Sequence, residues 1–376
     1  MARVVVLGGW APSLIKFRGP LLSAMVARGH DVFALAPPDP NGVGGDISAQ
    51  LAELGATFEP LTLQRAGLDP LADARSLAAL VRALRRHRPD VVLGYTIKPV
   101  IYGSIAARLA GVPRRAAMIT GMGSALTGAT TAKQRLVATT ARALYRIGLA
   151  QCQTVIFQNT DDRDELARLG LLPSHAKTAV VRGSGVDLAH YAPSPLPSGP
   201  PIFLFLGRLL RDKGIAEYVA AARQLHARNT GARFQIAGWL DPNPNSLTRT
   251  ELDTLIADGV IEYLGAPEDV RPALAAAHAL VLPSYREGTP RSVLEAMSIG
   301  RAVITTTAPG CRETVIDNES GLLVPIRDAD ALAAAMNRLV DDPALLARLA
   351  AAGHARAITL YDANVVAASV LDALGL

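Results

Sequence analysis

Cysteine, aromatic residues and long apolar runs are scarce in this chain of 376 residues. Its two cysteines, Cys152 and Cys311, lie far apart without a CxxC spacing, which argues against a disulfide-rich secreted fold and favours a cytosolic protein with reduced thiols. No apolar run reaches the ~20 residues that span a bilayer, and the N-terminus is too short for a secretory signal. With 5% aromatic residues and no stacking motif, we expect no nucleic-acid partner.

The chain is longer than the size at which a single hydrophobic core keeps growing, so two domains are expected. Half of its residues are hydrophobic and 19% are charged, as in a compact enzyme. Short apolar runs alternate with periodic helical segments throughout, which is the βαβ pattern of parallel sheets. The predicted strands are Val4–Leu7, Val32–Leu35, Val91–Leu93, Ala116–Ile119, Val155–Phe157, Ala179–Val181, Ile202–Leu206, Phe234–Ala237, Ile261–Leu264, Leu280–Leu282, Val303–Thr305 and Leu322–Val324.

A proline-rich stretch at residues 193–201 lacks five backbone donors and reads as an interdomain linker. We therefore predict an α/β protein of two doubly wound, Rossmann-like domains, at residues 1–192 and 202–360. Ligands of such open sheets bind in the crevice at the carboxyl ends of the strands.

Positive charge is concentrated in the first half of the chain. Residues 1–193 carry 22 basic against 13 acidic side chains, whereas residues 194–376 carry 16 against 20. A basic face of this kind attracts anionic lipid headgroups, and a solvated helix surface is an equally open interpretation. We expect an anionic membrane surface to be a partner of the basic N-terminal domain.

The most informative segment runs from Pro283 to Met297 and carries two glutamates eight residues apart, Glu287 and Glu295. A turn and the start of a helix lie between them. Free backbone N–H groups at a helix start, with roughly +0.5 charge of helix dipole, hold anions, and carboxylates accept hydrogen bonds from sugar hydroxyls. The pattern is typical of a site for a phosphorylated sugar, although two glutamates on a surface helix would be the simpler interpretation of this segment alone.

A second candidate segment is the loop at residues 206–214, which follows a predicted strand and leads into a helix. Arg208 and Lys213 in this loop can reach a diphosphate, the first as a planar fork and the second as a point charge. Two solvated loop cations are the alternative interpretation.

The glutamate pair resembles the Glu-x7-Glu signature of the retaining glycosyltransferases of family 4. Further segments extend the resemblance nearly from end to end, in that family's order and spacing: Tyr95–Pro99, Phe157–Asn159, Gly183–Asp187, Gly207–Gly214 and Pro309–Glu313. In detail the chain looks like the subgroup that extends polyprenyl-diphosphate-linked oligosaccharides in bacterial surface-polysaccharide and glycoprotein assembly. The resemblance implies the GT-B fold, in which two Rossmann-like domains face a central cleft and the C-terminal segment, here 361–376, packs back on the first domain.

The resemblance also implies roles for individual residues. Arg208, Lys213 and Glu287 are expected to be catalytic, because the cations neutralise a leaving nucleoside diphosphate while Glu287 binds hydroxyls of the donor sugar. Glu295 is expected to bind the ribose. The other expected donor-binding residues are Gly8, Gly9, Gly207, Gly288, Thr289, Pro290, Arg291 and Ser292.

Acceptor-side residues are expected in the loops of the first domain. Lys16 and Arg18 lie near the glycine loop after the first strand, and Gly121 and Gly123 lie in a loop after the strand that ends at Ile119. For the glycine loop a purely structural turn remains an alternative. Lys98 is a candidate contact for an acceptor diphosphate, and a structural role is equally open for it.

The implied function is retaining transfer of a hexose or N-acetylhexosamine from a UDP-sugar to a hydroxyl of a polyprenyl-diphosphate-linked saccharide, by front-face displacement. No nucleophile on the protein can be assigned, and no metal or other cofactor is expected because the two cations stand where a divalent metal would otherwise act. The expected location is cytoplasmic, peripheral on the inner face of the cell membrane. Alternatives are a nucleotide-sugar 2-epimerase of the same fold, a phosphorylase with pyridoxal phosphate, and a binding module without turnover.

Overall fold

The computed structural model describes residues 1–39, 44–63, 69–122, 132–241, 243 and 245–376. The described residues form two compact units. The N-terminal unit comprises Met1–Ser184 and Ala363–Leu376, and the C-terminal unit comprises Gly185–Asp362. Each unit is an α/β assembly with its own parallel sheet, as the sequence predicts.

Strands and helices alternate along the N-terminal unit. In chain order its elements are β1 (Arg3–Leu7), α1 (Pro12–Lys16), α2 (Gly19–Ala27), β2 (Asp31–Ala36), α3 (Ile47–Glu53), β3 (Thr57–Pro60), α4 (Pro70–His87), β4 (Val91–Tyr95), α5 (Ile97–Leu109), β5 (Arg114–Ile119), α6 (Ala132–Leu149), β6 (Thr154–Phe157), α7 (Thr160–Arg168) and β7 (Lys177–Val180). Within the described residues the sheet order is β3-β2-β1-β4-β5-β6-β7, all parallel, so the order reverses between β1 and β4.

Side chains alternate between the two faces of this sheet along each strand, and apolar clusters bury both faces. On β1, Val4 and Val6 pack in one apolar cluster while Val5 and Leu7 pack in another on the opposite face. The predicted strands of this unit are present, and β3 was missed. It is a short edge strand with half-buried or exposed side chains, including a glutamate and a terminal proline, so it lacks the apolar run by which the other strands are recognised.

The C-terminal unit repeats the pattern. Its elements are β8 (Ile202–Leu206), a 3-10 turn (Arg211–Lys213), α8 (Ile215–Ala227), β9 (Arg233–Ala237), α9 (Arg249–Ile256), β10 (Ile261–Tyr263), α10 (Arg271–Ala276), β11 (Ala279–Leu282), α11 (Arg291–Ile299), β12 (Ala302–Thr306), β13 (Leu322–Val324), α12 (Ala329–Asp341) and α13 (Pro343–Tyr361). The described strands form a parallel sheet in the order β10-β9-β8-β11-β12-β13. Its order reverses between β8 and β11, which places the ligand crevice at the carboxyl ends of those two strands.

The final helix, α14 (Ala363–Leu374), returns to the N-terminal unit as the resemblance implies. It packs on α2 and β6, and its buried residues Ala367, Val370, Leu371 and Leu374 belong to the same apolar cluster as Val4 and Val6. The Arg28 guanidinium donates a hydrogen bond of 2.5 Å to the carbonyl oxygen of Leu376. The returning segment begins at Ala363 rather than at residue 361.

The proline-rich stretch is not the boundary between the units, because the chain passes from one to the other at Ser184–Gly185. The stretch is held inside the C-terminal unit by Arg301, a fully buried side chain. The Arg301 guanidinium donates to Ser194 Oγ and to the carbonyl oxygens of Pro195, Leu274 and Ala275. Prolines supply carbonyl acceptors without competing N–H donors, so this stretch suits a buried guanidinium better than a hinge.

We predict that Arg301→Ala destabilises the protein by about 3 kcal/mol, because the substitution leaves several buried carbonyl oxygens without a donor. Urea denaturation followed by circular dichroism measures the loss, with the exposed Arg228→Ala as the matched control. Equal stability of the two variants would contradict the anchoring role of Arg301.

Candidate active site

The loop after β8 and the loop after β11 interlock at the carboxyl edge of the C-terminal sheet. Gly214 ends the first loop with φ of 74°, and a β-carbon at this position would lie 2.2 Å from the carbonyl oxygen of Pro283. The amide of Tyr285 donates a hydrogen bond of 2.8 Å to the carbonyl oxygen of Asp212. Only glycine permits this approach, so Gly214, the last residue of the segment Gly207–Gly214, fixes the distance between the two loops.

The interlocked loops bring Lys213 and Glu287 into direct contact. The Lys213 ammonium donates to Glu287 Oε1, and the two side chains are only 15% and 13% exposed. Ser284 Oγ donates to the same carboxylate oxygen at 2.8 Å. The sequence predicted that these two residues serve the diphosphate and the sugar respectively. In the structure they form one ion pair.

A third loop, at residues 309–311, packs against the backbone of Glu287. The Glu287 amide donates to the carbonyl oxygen of Pro309 at 3.0 Å, and Gly310, with φ of 82°, lies so close that a β-carbon there would be 2.2 Å from the Glu287 carbonyl oxygen. Cys311 follows, and burial raises the pKa of its thiol to about 12. Cys311 is fully buried, and a thiol with so high a pKa stays protonated at neutral pH.

Arg208 stands on the same loop as Lys213 and has a different partner. Its Nη1 donates to Asp241 Oδ2 at 3.3 Å, and its side chain remains 41% exposed. Asp241 lies in the loop that follows β9, the strand next to β8 in the sheet. One exposed and one nearly buried cation therefore lie on a single loop at the sheet edge.

Glu295 is buried in the second turn of α11. The Arg291 guanidinium donates to Glu295 Oε1 at 2.8 Å, and Tyr191 also hydrogen-bonds the carboxyl group. Burial raises the pKa of Glu295, because desolvation outweighs the attraction of Arg291. Arg291 and Tyr191 were not predicted as its partners: the i to i+4 spacing to Arg291 is visible in the sequence, whereas Tyr191 is more than a hundred residues away.

The residues between the two glutamates form the entrance to α11. Pro290 is the N-cap, with extended backbone and no side-chain cap, and Gly288 and Thr289 precede it. Arg291 and Ser292 occupy the first turn of α11. The predicted set Arg208, Lys213, Glu287 and Glu295 thus lies on the loops and first helical turns at one edge of the sheet.

The predicted acceptor residues fare differently. Lys98 is buried, and its ammonium donates to Asp73 Oδ1 at 2.7 Å while the Tyr102 hydroxyl donates to Asp73 Oδ2 at 2.8 Å. This ion pair gives Lys98 a structural role joining α4 to α5, and its contact with an acceptor diphosphate stays a prediction. Lys98 lies in the first turn of α5, and nothing in the sequence around it indicated a contact with Asp73, which lies 25 residues earlier.

Arg18 is also buried rather than presented to a ligand. Its guanidinium lies 4.7 Å from the centre of the Tyr95 ring and donates to Ser184 Oγ at 3.2 Å. Lys16 is exposed at the end of α1. Gly121 follows β5 with φ of 135°, and Gly123 lies outside the described residues.

Gly8 and Gly9 follow β1 at the carboxyl edge of the N-terminal sheet. A β-carbon on Gly8 would lie 2.5 Å from the Tyr95 hydroxyl, and one on Gly9 would lie 2.7 Å from Thr96 Oγ1. A side chain at either position would have to displace the Tyr95 or Thr96 side chain at the end of β4. Their role in donor binding stays a prediction.

Two family models match this chain. Residues 18–183 match the model described as glycosyl transferase 4-like domain, and residues 200–342 match glycosyl transferases group 1. The chain is a glycosyltransferase of the family that these two models describe. Across the described ranges, no group of three or more His, Cys, Asp or Glu side chains in this glycosyltransferase is arranged to hold a metal ion.

The glycosyltransferase is similar over most of its length to two characterised enzymes. It is 28% identical over 378 residues, 97% of this chain and 96% of the relative, to the N,N'-diacetylbacillosaminyl-diphospho-undecaprenol alpha-1,3-N-acetylgalactosaminyltransferase of Campylobacter jejuni. It is 27% identical over 348 residues, 87% of each chain, to the UDP-Gal:alpha-D-GlcNAc-diphosphoundecaprenol alpha-1,3-galactosyltransferase of Escherichia coli. Both relatives are transferases, so the alternative of an epimerase is not supported.

Solved structures confirm the GT-B fold of the glycosyltransferase. Sucrose-phosphate synthase of Thermosynechococcus elongatus superposes with a TM-score of 0.81 at 21% identity, covering 98% of both chains. HepE of Anabaena, solved with UDP and glucose, superposes with a TM-score of 0.76 at 16% identity, covering 100% of both chains.

We predict opposite effects of Glu295→Gln on stability and on nucleotide binding. Because the pKa of Glu295 is raised in the folded state, its ionisation costs stability as the pH rises above the pKa of an unfolded glutamate. The neutral isostere should therefore raise the Tm at pH 7.5, and the gain should shrink as the pH falls towards 4. Loss of the carboxylate should weaken UDP binding by about 10-fold.

Differential scanning fluorimetry across the pH range and titration calorimetry with UDP measure the two effects, with the exposed Glu319→Gln as control. A Tm gain that is the same at pH 4 and pH 7.5 would show that ionisation of Glu295 is not its source. An unchanged dissociation constant for UDP would show that the carboxylate is purely structural.

Proposed function

We propose that this glycosyltransferase transfers a hexose or N-acetylhexosamine from a UDP-sugar to a hydroxyl of a polyprenyl-diphosphate-linked saccharide, with retention of anomeric configuration. The observation that carries the proposal is the set of charged groups at the carboxyl edge of the C-terminal sheet. There, Arg208 and Lys213 lie on one loop, and Glu287 and Glu295 flank the start of α11. Relatives named for undecaprenol-diphosphate-linked substrates and a fold neighbour solved with UDP and glucose support the substrate class.

Leaving-group stabilisation is the step that these cations serve. When the bond from the anomeric carbon to the diphosphate breaks, negative charge grows on the departing UDP while the sugar takes oxocarbenium-like character. Arg208 offers a planar set of donors and Lys213 a compact charge, both fixed before the reaction begins. The acceptor hydroxyl attacks the face that the diphosphate leaves and passes its proton to an oxygen of the departing diphosphate, so configuration is retained without a nucleophile on the protein.

The two glutamates orient the donor at its two ends. Glu287 accepts hydrogen bonds from sugar hydroxyls beside the scissile bond, and Glu295 accepts them from the ribose. The segment from Gly288 to Ser292 lies at the positive end of the α11 dipole, where it contacts the phosphates and the sugar in this scheme. In this scheme no divalent metal is required, because the two cations supply the charge.

We predict that Arg208→Ala and Lys213→Ala each lower the turnover number by about 10²- to 10³-fold, since each removes a donor to the charge that develops on the diphosphate. The matched control is Arg211→Ala on the same loop. Its guanidinium is engaged at 2.8 Å by both carboxylate oxygens of Glu251, so it should keep near-normal turnover.

Release of UDP from UDP-N-acetylgalactosamine and UDP-galactose, with a synthetic polyprenyl-diphosphate-linked N-acetylhexosamine as acceptor and with or without EDTA, measures these rates. Product analysis by NMR reports the configuration of the new bond. Normal turnover in both variants would refute the diphosphate assignment. Loss of activity in EDTA would refute metal independence. A rate of UDP release that does not depend on the acceptor would refute transfer.

We further propose that the enzyme works at the cytoplasmic face of the membrane and that α6 contacts anionic lipid. Between residues 135 and 147, this helix exposes three arginines and three large apolar side chains: Arg135, Leu136, Val137, Arg142, Arg146 and Ile147. Leu136 is 69% and Ile147 52% exposed. No acidic residue occurs between them, so cations and apolar side chains alternate as in interfacial helices. Among the described residues no helix is long and apolar enough to cross a bilayer.

We predict that Arg142→Glu with Arg146→Glu abolishes binding to vesicles containing phosphatidylglycerol, since each arginine near the surface contributes about 1 kcal/mol. Flotation with anionic vesicles at low and physiological salt measures binding, and vesicles of phosphatidylcholine alone supply the neutral reference. Arg223→Glu with Arg249→Glu, two exposed arginines of the C-terminal unit, is the matched control. Undiminished binding of the α6 variant would remove this helix from the membrane contact.

A further inference from the structure

The pair formed by Arg208 and Asp241 is unequal in its surroundings. The Asp241 side chain is 11% exposed, whereas the Arg208 side chain is 41% exposed. A buried carboxylate that touches an exposed guanidinium acts as the fixed member of the pair. The longer, more exposed arginine is the member whose position depends on the contact.

Asp241 is fixed by the backbone of its own loop. The amide of Asn243 donates to Asp241 Oδ1 at 2.9 Å, and the Asp241 amide donates to Ser246 Oγ at 3.0 Å. These two bonds leave Oδ2 for Arg208. The carboxylate is thus oriented before any ligand arrives.

The Asp241 loop is also tied to the loop that carries Arg208. Ser246 Oγ donates to the Leu209 carbonyl oxygen at 3.2 Å, and the Leu247 amide donates to the same oxygen at 2.8 Å. The Arg211 amide donates to the Asn245 carbonyl oxygen at 2.9 Å. The backbone on the C-terminal side of Arg208 is therefore paired residue by residue with the segment that presents Asp241.

We infer that Asp241 is a positioning residue for Arg208. It holds one edge of the guanidinium so that the remaining N–H groups face the diphosphate of the donor. Arginine has five N–H donors in a fixed fork, so one engaged edge leaves the others free to bind two phosphate oxygens. Asp241 touches no substrate in this scheme, and the inference rests on the proposed role of Arg208.

The effect of such a residue falls on the rate more than on donor binding. The diphosphate carries more charge in the transition state than in the bound donor, so a misdirected guanidinium loses more interaction there. We expect Asp241→Ala to lower kcat by about 10-fold and to change the KM for UDP-N-acetylgalactosamine by less than about 3-fold. Asp241→Asn should keep most of the activity, because its amide oxygen accepts the same hydrogen bond.

A double-mutant cycle separates positioning from a structural role. Without the guanidinium there is nothing left to position, so Asp241→Ala should cause less than about 2-fold further loss when it is added to Arg208→Ala. The control is Asp258→Ala. This substitution removes a carboxylate that pairs with Arg223 at 2.6 Å before the N-terminal end of β10, away from the carboxyl edge of the sheet. It should leave kcat unchanged. Scanning fluorimetry of every variant reports folding.

Each outcome of the cycle decides a different point. Losses in the two single variants that multiply in the double variant would assign Asp241 to loop structure and overturn the inference. Unchanged or faster turnover of Asp241→Ala with tighter UDP binding would make Asp241 a competitor of the diphosphate, which also overturns it. If Asp241→Ala fails to fold, low activity of the folded Asp241→Asn variant would do the same. Full activity of Arg208→Ala would sink the proposed function as well, since Asp241 acts through that side chain.

Discussion

The candidate site depends on the approach of two loops that leave neighbouring strands of the C-terminal sheet. Gly214 lets the backbone of the first loop press against Pro283 of the second, and the hydrogen bond from Tyr285 to Asp212 fixes their register. A larger residue at position 214 would drive the loops apart. Lys213 and Glu287 would then separate, because Lys213 lies between Asp212 and Gly214 and Glu287 lies two residues after Tyr285. The distance between cation and carboxylate is thus set by backbone contact rather than by the attraction between their charges.

Each cation of the site already has a carboxylate partner. Lys213 pairs with Glu287, Arg208 with Asp241, and Arg291 with Glu295. In the proposed reaction, a donor diphosphate enters a site whose cations are already paired and takes a share of each cation from its partner. Such pairing reduces the strength of ground-state binding, yet it fixes the side chains where charge develops, and preorganisation of this kind lowers the reorganisation required during the reaction. The arrangement favours turnover over tight retention of the nucleotide.

Much of the fold, and the placement of the candidate site residues at one sheet edge, could be predicted because both follow from local sequence patterns. Apolar runs gave the buried strands, and the spacing of glycine, arginine, lysine and glutamate gave the loops at the sheet edge. What failed depended on partners distant in sequence. For Lys98 the sequence left a ligand contact and a structural role equally open because Asp73 was invisible as its partner. The proline-rich stretch was taken for an interdomain linker because buried Arg301 lies about a hundred residues later. Asp241 was missed for the same reason.

The net charge of the C-terminal half and the cations of the candidate site act on an anionic ligand in opposite directions. Residues 194–376 carry 16 basic against 20 acidic side chains, so the half that holds the donor site repels an anion on average. At physiological ionic strength such a net charge is screened within about 8 Å, whereas a half-buried lysine or arginine in contact with the ligand is screened much less. In the proposed function, local attraction of the anion comes from Arg208, Lys213 and the start of α11. The excess of positive charge in residues 1–193 is free to serve a surface too large to enter a pocket, which is the role proposed for α6.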